Sequence, residues 1–202
     1  MEFMRRAEGS PSRLGILPGA FNPPTRAHLE LARAALAEVE EVVFVLPRAF
    51  PHKQYEGASF EQRIAMLLAA AAGPRFSVAV SEGGLFIEIA RECRQAYGPG
   101  VELWFITGTD AAERIVNWDY GAGGGIDEQL REYGLLVAPR AAVYAAPERL
   151  RARVRALDMP DEWRSVSATE VRERICRGER WEHLVPEALR GLVCEIYAGK
   201  RV

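Results

Sequence analysis

Five short apolar runs constrain this chain more than anything else in it: Leu14–Pro18, Val42–Leu46, Phe76–Val80, Glu102–Ile106 and Tyr133–Val137. They are rich in Val, Ile, Leu and Phe and lack strict alternation, the pattern of strands buried on both faces. Between them lie segments of helical period, Pro24–Glu38, Phe60–Ala72, Phe86–Tyr97 and the shorter Ala111–Val116. Strand and helix alternating at these lengths predict βα units in a parallel sheet with right-handed crossovers. After the fifth run, Pro147–Leu157, Ala168–Arg177 and Pro186–Ala198 read as helical, with no clear strand among them. The expected fold is α/β: an open, Rossmann-like parallel sheet of about five strands, helices on both faces, and a helical C-terminal part. In such folds ligands bind beyond the carboxyl ends of the strands.

With 202 residues and roughly 150 per domain, residues 14–202 are expected to form one domain. Residues 1–13 read as a poorly ordered extension. An apolar fraction of 49% with 27% charged residues excludes disorder, collagen-like repeats and a coiled-coil rod. The longest apolar run, Met66–Ala72, is far short of the ~20 residues that span a bilayer, and no apolar stretch follows Arg5 and Arg6 as a secretory signal would require. Cys93, Cys176 and Cys194 are widely spaced and form no CxxC pair, so reduced thiols and a cytoplasmic location are expected. A net charge of −2 supplies no basic field for nucleic acid. Of 26 basic residues only Lys53 and Lys200 are lysines. That draws attention to Lys53, because Lys is a compact point charge that Arg does not replace freely.

The loops after the strands hold the candidate chemistry. Gly19-Ala20-Phe21-Asn22-Pro23-Pro24-Thr25 runs from the first strand into a helix bearing His28. Gly19 permits close backbone approach. Asn22 is a good N-cap, and the two prolines suit a first helical turn. Thr25 and His28, three apart, share a face at a helix start that favours an anion. This is neither a dinucleotide fingerprint nor a P-loop. Pro51-His52-Lys53 follows the second strand. Gly108-Thr109-Asp110 follows the fourth, where Asp110 can cap the next helix or accept from ribose hydroxyls, and Trp118 lies just beyond. Ser167 with Glu170 makes a capping box. That leaves Thr169 and Arg172 for a second phosphate site, so a polyphosphate held between two helix starts is expected.

Gly-Ala-Phe-Asn-Pro-Pro-Thr-Arg-Ala-His28, Pro-His-Lys53, Ile-Thr-Gly-Thr-Asp110 with Trp118, and Val-Ser-Ala-Thr-Glu-Val-Arg172 together resemble the nicotinate/nicotinamide mononucleotide adenylyltransferases of the [HT]xxH nucleotidyltransferase superfamily. The resemblance runs from about Leu14 to Tyr197, in the family's order. It implies that a pyridine mononucleotide phosphate attacks the α-phosphorus of ATP in line, in NAD biosynthesis, with Mg²⁺ bound through the ATP phosphates and no covalent enzyme intermediate. His28, Thr25, Lys53 and Arg172 would be catalytic. Gly19, Ala20, Phe21, Gly108, Asp110, Ser167 and Thr169 would join Thr25, His28 and Arg172 in binding ATP. Asn22, His52, Lys53, Phe86 and Trp118 would meet the acceptor. No metal ligand set of the chain's own is implied.

The chain departs from that family at two places. Pro18-Gly19 stands where the family usually has Gly-Gly, and Gly84-Leu-Phe-Ile-Glu-Ile-Ala90 replaces a Ser-Tyr-Thr-x-x-Thr-Leu stretch that binds the pyridine end. Both Thr hydroxyls become apolar, at Phe86 and Ile89. Nicotinate or nicotinamide as the base, another phosphorylated acceptor, CTP as donor, and a nucleotide-binding module without turnover therefore all stay open. So do the role of the Gly121–Gly125 loop and homo-oligomerisation.

Overall fold

The computed structural model describes residues 1–49, 57–116, 125–138 and 146–198. Each of the five apolar runs is a strand: β2 (Arg13–Pro18), β3 (Glu41–Pro47), β4 (Phe76–Ser81), β5 (Glu102–Gly108) and β6 (Gly134–Ala138). Every residue of β3, β4 and β6 is buried, which is why these strands read as continuous apolar runs. Two further strands extend the sheet, β1 (Glu2–Arg5) and β7 (Val154–Ala156). The order is β1-β4-β3-β2-β5-β6-β7, with β1 antiparallel to β4 and the remaining pairs parallel.

Seven strands correct the expected five. Glu2–Arg5, read from the sequence as part of a poorly ordered extension, is the antiparallel edge, and Phe3 meets the Tyr97 ring at 5.7 Å. Residues 147–157, expected to be helical, hold one 3₁₀ turn at Glu148–Leu150 and then β7. Only Val154 of β7 is buried, so neither apolar runs nor alternation marks it.

The helices are α1 (Arg26–Ala35), α2 (Phe60–Ala70), α3 (Phe86–Tyr97), α4 (Thr109–Val116), α5 (Ile126–Glu132), α6 (Asp161–Arg164), α7 (Ala168–Arg177) and α8 (Arg190–Tyr197). Two apolar clusters cover the sheet. Leu14, Ile16, Ile89, Phe105 and Leu135 belong to one, and Leu29, Phe44, Leu67 and Trp104 to the other. A third, smaller core joins Met66 of α2 to Val171, Leu189, Val193 and Tyr197, and so seats the C-terminal helices on α2. No described helix is long and apolar enough to cross a membrane.

The six parallel strands have the doubly wound order, in which the connections reverse between β2 and β5. The crevice at such a switch point is where these sheets bind ligands. The loops that follow β2 and β5 therefore define the place to look.

Candidate active site

Beyond β2 the chain turns through Gly19–Thr25 into α1. The helix starts at Arg26 with Thr25 as N-cap, three residues later than a cap at Asn22 would give. Thr25 can hold that place because its own backbone N–H donates to His28 Nδ1 at 3.0 Å, with Thr25 Oγ1 2.8 Å from the same nitrogen. A backbone N–H only donates, so Nδ1 is the acceptor and the imidazole carries its proton on Nε2. Thr25 is fully buried. Its hydroxyl lies against the imidazole and helps to orient it. The His28 ring packs edge-on against Phe21 at 5.3 Å.

The turn between strand and helix is held from several sides. Gly19 spends its N–H on Val45 O at 3.0 Å, and a Cβ there would stand 3.0 Å from the Phe21 ring. The close approach at Gly19 is that of the Phe21 ring. Phe21 itself sits at φ 48°, a region that side-chain-bearing residues adopt rarely and at a cost. Both flanking carbonyls face guanidinium groups, Ala20 O with Arg63 Nη1 at 3.5 Å and Asn22 O with Arg172 Nη1 at 2.6 Å.

Asn22, expected to meet the acceptor, is buried. Its Oδ1 accepts from Tyr197 Oη at 2.5 Å and from the Ala58 N–H at 3.3 Å. Burial pushes the Tyr197 phenol well above its ordinary pKa, while the neighbouring Arg172 and Arg63 charges pull it partly back.

At α7, Ser167 is the N-cap and its Oγ accepts from the Glu170 N–H at 3.1 Å. The Glu170 carboxylate turns instead to Arg174 at 2.9 Å. Arg172 Nη2 lies 3.4 Å from Thr169 Oγ1. Through its other nitrogen Arg172 reaches the Asn22 carbonyl, so the start of α7 is brought to the loop that leads into α1. The loop that leads into α1 and the helix α7 meet through this guanidinium.

On the other side of the switch point β5 runs directly into α4. Asp110 is exposed in the first turn of α4 and does not cap it, since Thr109 is already helical. Gly108 ends the strand beside Ala138. Phe86, expected at the acceptor end, stacks on Phe105 with centroids 4.2 Å apart and planes inclined by 13°. Ile89 is fully buried in the same cluster. Both positions serve packing. His52, Lys53, Trp118 and residues 121–124 lie outside the described residues, and Gly125 is the N-cap of α5.

Two residues to which the sequence reading assigns no role also belong here, Arg63 and Tyr197. Arg63 lies three and four positions before Met66 and Leu67, so a cation falls on a buried face of α2. A buried charge of that kind is held by partners, and this was the available signal. Tyr197 follows Val193 by four on the buried stripe of α8, where a phenol needs a hydrogen-bond partner. A shallow recess lined by Gly9, Ser10, Glu40 and Arg75 lies at the amino ends of the strands, away from His28.

The cytidylyltransferase-like family matches residues 16–174 of the chain. A probable nicotinate-nucleotide adenylyltransferase of Moorella thermoacetica is 33% identical over 197 residues, which cover 89% of this chain and 88% of that protein. One from Thermus thermophilus is 34% identical over 197 residues, 93% of this chain and 97% of its own. Among solved structures, a Plasmodium falciparum nicotinic acid mononucleotide adenylyltransferase complexed with NaAD superposes with a TM-score of 0.68 at 15% identity, covering 91% of this chain and 95% of that one. At that identity the likeness is one of fold.

Proposed function

This chain belongs to the nicotinate-nucleotide adenylyltransferase family, and from that premise we propose that it transfers the adenylyl group of ATP to nicotinate mononucleotide. The observation that carries the reading is Arg172 of α7 bound to the loop that leads to His28, which joins a guanidinium and an imidazole at the switch point of the sheet. A phosphate oxygen of the acceptor forms the new bond to the α-phosphorus. The bond from that phosphorus to the bridging oxygen breaks, and the electron pair leaves with pyrophosphate.

Catalysis of this step needs placement and charge stabilisation rather than a protein nucleophile. His28, oriented by Thr25, donates its Nε2–H to a non-bridging oxygen of the α-phosphate as negative charge builds there. Arg172 and Thr169 grip the departing pyrophosphate, helped by the free N–H groups at the start of α7. Lys53 adds a further positive charge, and Asp110 accepts from a ribose hydroxyl. The described donors gathered here are N–H and O–H groups, which suit anionic oxygens better than a hard cation. A divalent ion such as Mg²⁺ would then be held through the triphosphate oxygens, where it would supply charge neutralisation.

The test is pyrophosphate release with ATP or CTP against nicotinate mononucleotide, nicotinamide mononucleotide and other phosphorylated acceptors. Release with ATP and nicotinate mononucleotide is expected. Absence of release with that pair, or faster turnover with CTP, would overturn the assignment.

A further inference from the structure

We propose that Tyr197 is a positioning residue of the active site, acting through Asn22 on Arg172. The relay is short and buried. Tyr197 Oη donates to Asn22 Oδ1 at 2.5 Å, and the backbone carbonyl of that same Asn22 accepts from Arg172 Nη1 at 2.6 Å. Asn22 and Tyr197 are both buried, so water cannot stand in for a lost partner without a space being opened for it. The N–H of Ala58 holds Oδ1 from the other side at 3.3 Å. Between them these two donors restrain the orientation of the Asn22 side chain.

That orientation matters because the Asn22 peptide is the docking point of a cation. Arg172 has several rotatable bonds, and a free guanidinium would spread over many positions. Here one nitrogen is held by Asn22 O while the other lies 3.4 Å from Thr169 Oγ1. Tilting the Asn22 peptide moves the acceptor and with it the guanidinium. Small displacements of a group that stabilises a developing charge are expensive in rate. Tyr197 lies on α8 beside Val193 and Leu189 in the third core, which also contains Val171 of α7. The helix that carries Arg172 and the helix that carries Tyr197 thus share one packed unit, so the phenol and the guanidinium approach Asn22 from a common support.

The inference rests on the adenylyltransferase reading only for what Arg172 does, not for where it is held. Its test is a double-mutant cycle of Tyr197→Phe and Arg172→Lys, read in kcat with ATP and nicotinate mononucleotide and in the Kd of a non-hydrolysable ATP analogue. Tyr197→Phe keeps the ring in the core and removes only the hydroxyl. It is expected to lower kcat by about tenfold with little change in the acceptor KM. Arg172→Lys is expected to lower kcat by about a hundredfold. In the Arg172→Lys background Tyr197→Phe has almost no further effect, because the two-nitrogen guanidinium that bridges Asn22 O and Thr169 Oγ1 is gone. A merely structural role for the phenol would give equal losses in both backgrounds and would overturn the proposal. If the wild-type chain releases no pyrophosphate, the adenylyltransferase reading fails, while the same cycle read in analogue affinity still decides the relay.

Discussion

The backbone N–H of Thr25 donates to Nδ1 of His28 at 3.0 Å, and the Thr25 hydroxyl oxygen lies 2.8 Å from the same atom. One residue thereby caps α1, settles the tautomer of the imidazole and limits its rotation. The proton of the ring is placed on Nε2, the nitrogen proposed to face the α-phosphate.

Replacing His28 with Ala removes that donor. Turnover is expected to fall by about 10²–10³, while far-ultraviolet circular dichroism stays close to wild type and Tm falls only modestly, because the buried Thr25 amide loses its acceptor. Wild-type-like turnover in a folded His28→Ala protein would remove His28 from the chemistry.

Thr25→Val separates the two bonds to Nδ1. The backbone donor persists and the tautomer is unchanged, but the hydroxyl that helps to hold the ring is lost. We expect kcat to fall by about tenfold, the worth of one neutral hydrogen bond, with KM for ATP nearly constant. A rise in KM without a change in kcat would instead assign Thr25 to ground-state binding.

Arg63 is 6% exposed, and its guanidinium faces Ala20 O and Ser59 O at 3.5 and 3.4 Å. Arg63→Met leaves those carbonyls without this donor and frees the peptide before Phe21. Chemical denaturation is expected to show a loss of about 1–3 kcal/mol. No loss would mean that the positive φ of Phe21 is secured by ring packing alone.

Gly134 opens β6 under the Trp104 indole, and a Cβ there would fall 2.4 Å from ring carbons. Trp104 is 2% exposed and flanked by Arg153 and Arg155, so it has little room to retreat. Gly134→Ala is expected to cost about 1–3 kcal/mol or more, visible as a lowered Tm. An unchanged Tm would show that the indole can move.

Burial raises the phenols of Tyr97 and Tyr197 well above their ordinary pKa, with the Glu41 carboxylate adding to the effect at Tyr97. The sign follows from linkage. A group whose pKa is higher folded than unfolded favours the folded state fully below the unfolded value, and this contribution is lost as pH rises above it. Stability should therefore decline above pH about 10. An ultraviolet titration of the native protein should show these two phenols ionising only with unfolding. Their titration at the ordinary tyrosine pKa in a folded protein would contradict their burial.

The sequence made the sheet legible where burial is two-sided. All five long strands and the helices at Phe60, Phe86 and Ala168 begin within a residue of where their apolar pattern places them. It failed where burial is slight. β1 is an edge and β7 has two exposed residues out of three, so neither leaves a pattern. In the site, the residue types were legible but their partners were not. Asn22 looks like a cap by propensity, yet the cap is Thr25, because an imidazole three residues on can accept from the Thr25 amide. Phe86 reads as part of the acceptor end because it stands where the family has a Thr, and the stacked Phe105 ring that packs on it leaves no mark in the spacing. The bond from Arg172 to Asn22 spans 150 positions, a separation over which periodicity and spacing carry no information.

The proposed chemistry depends on a triphosphate lying between the start of α7 and the imidazole of α1. A crystal structure of the protein with a non-hydrolysable ATP analogue tests this most directly. The predicted result is an α-phosphate oxygen within hydrogen-bond distance of His28 Nε2, with the terminal phosphates at Arg172 and Thr169. An analogue seated at the amino ends of the strands, or an imidazole whose Nε2 points into the protein interior, would contradict it.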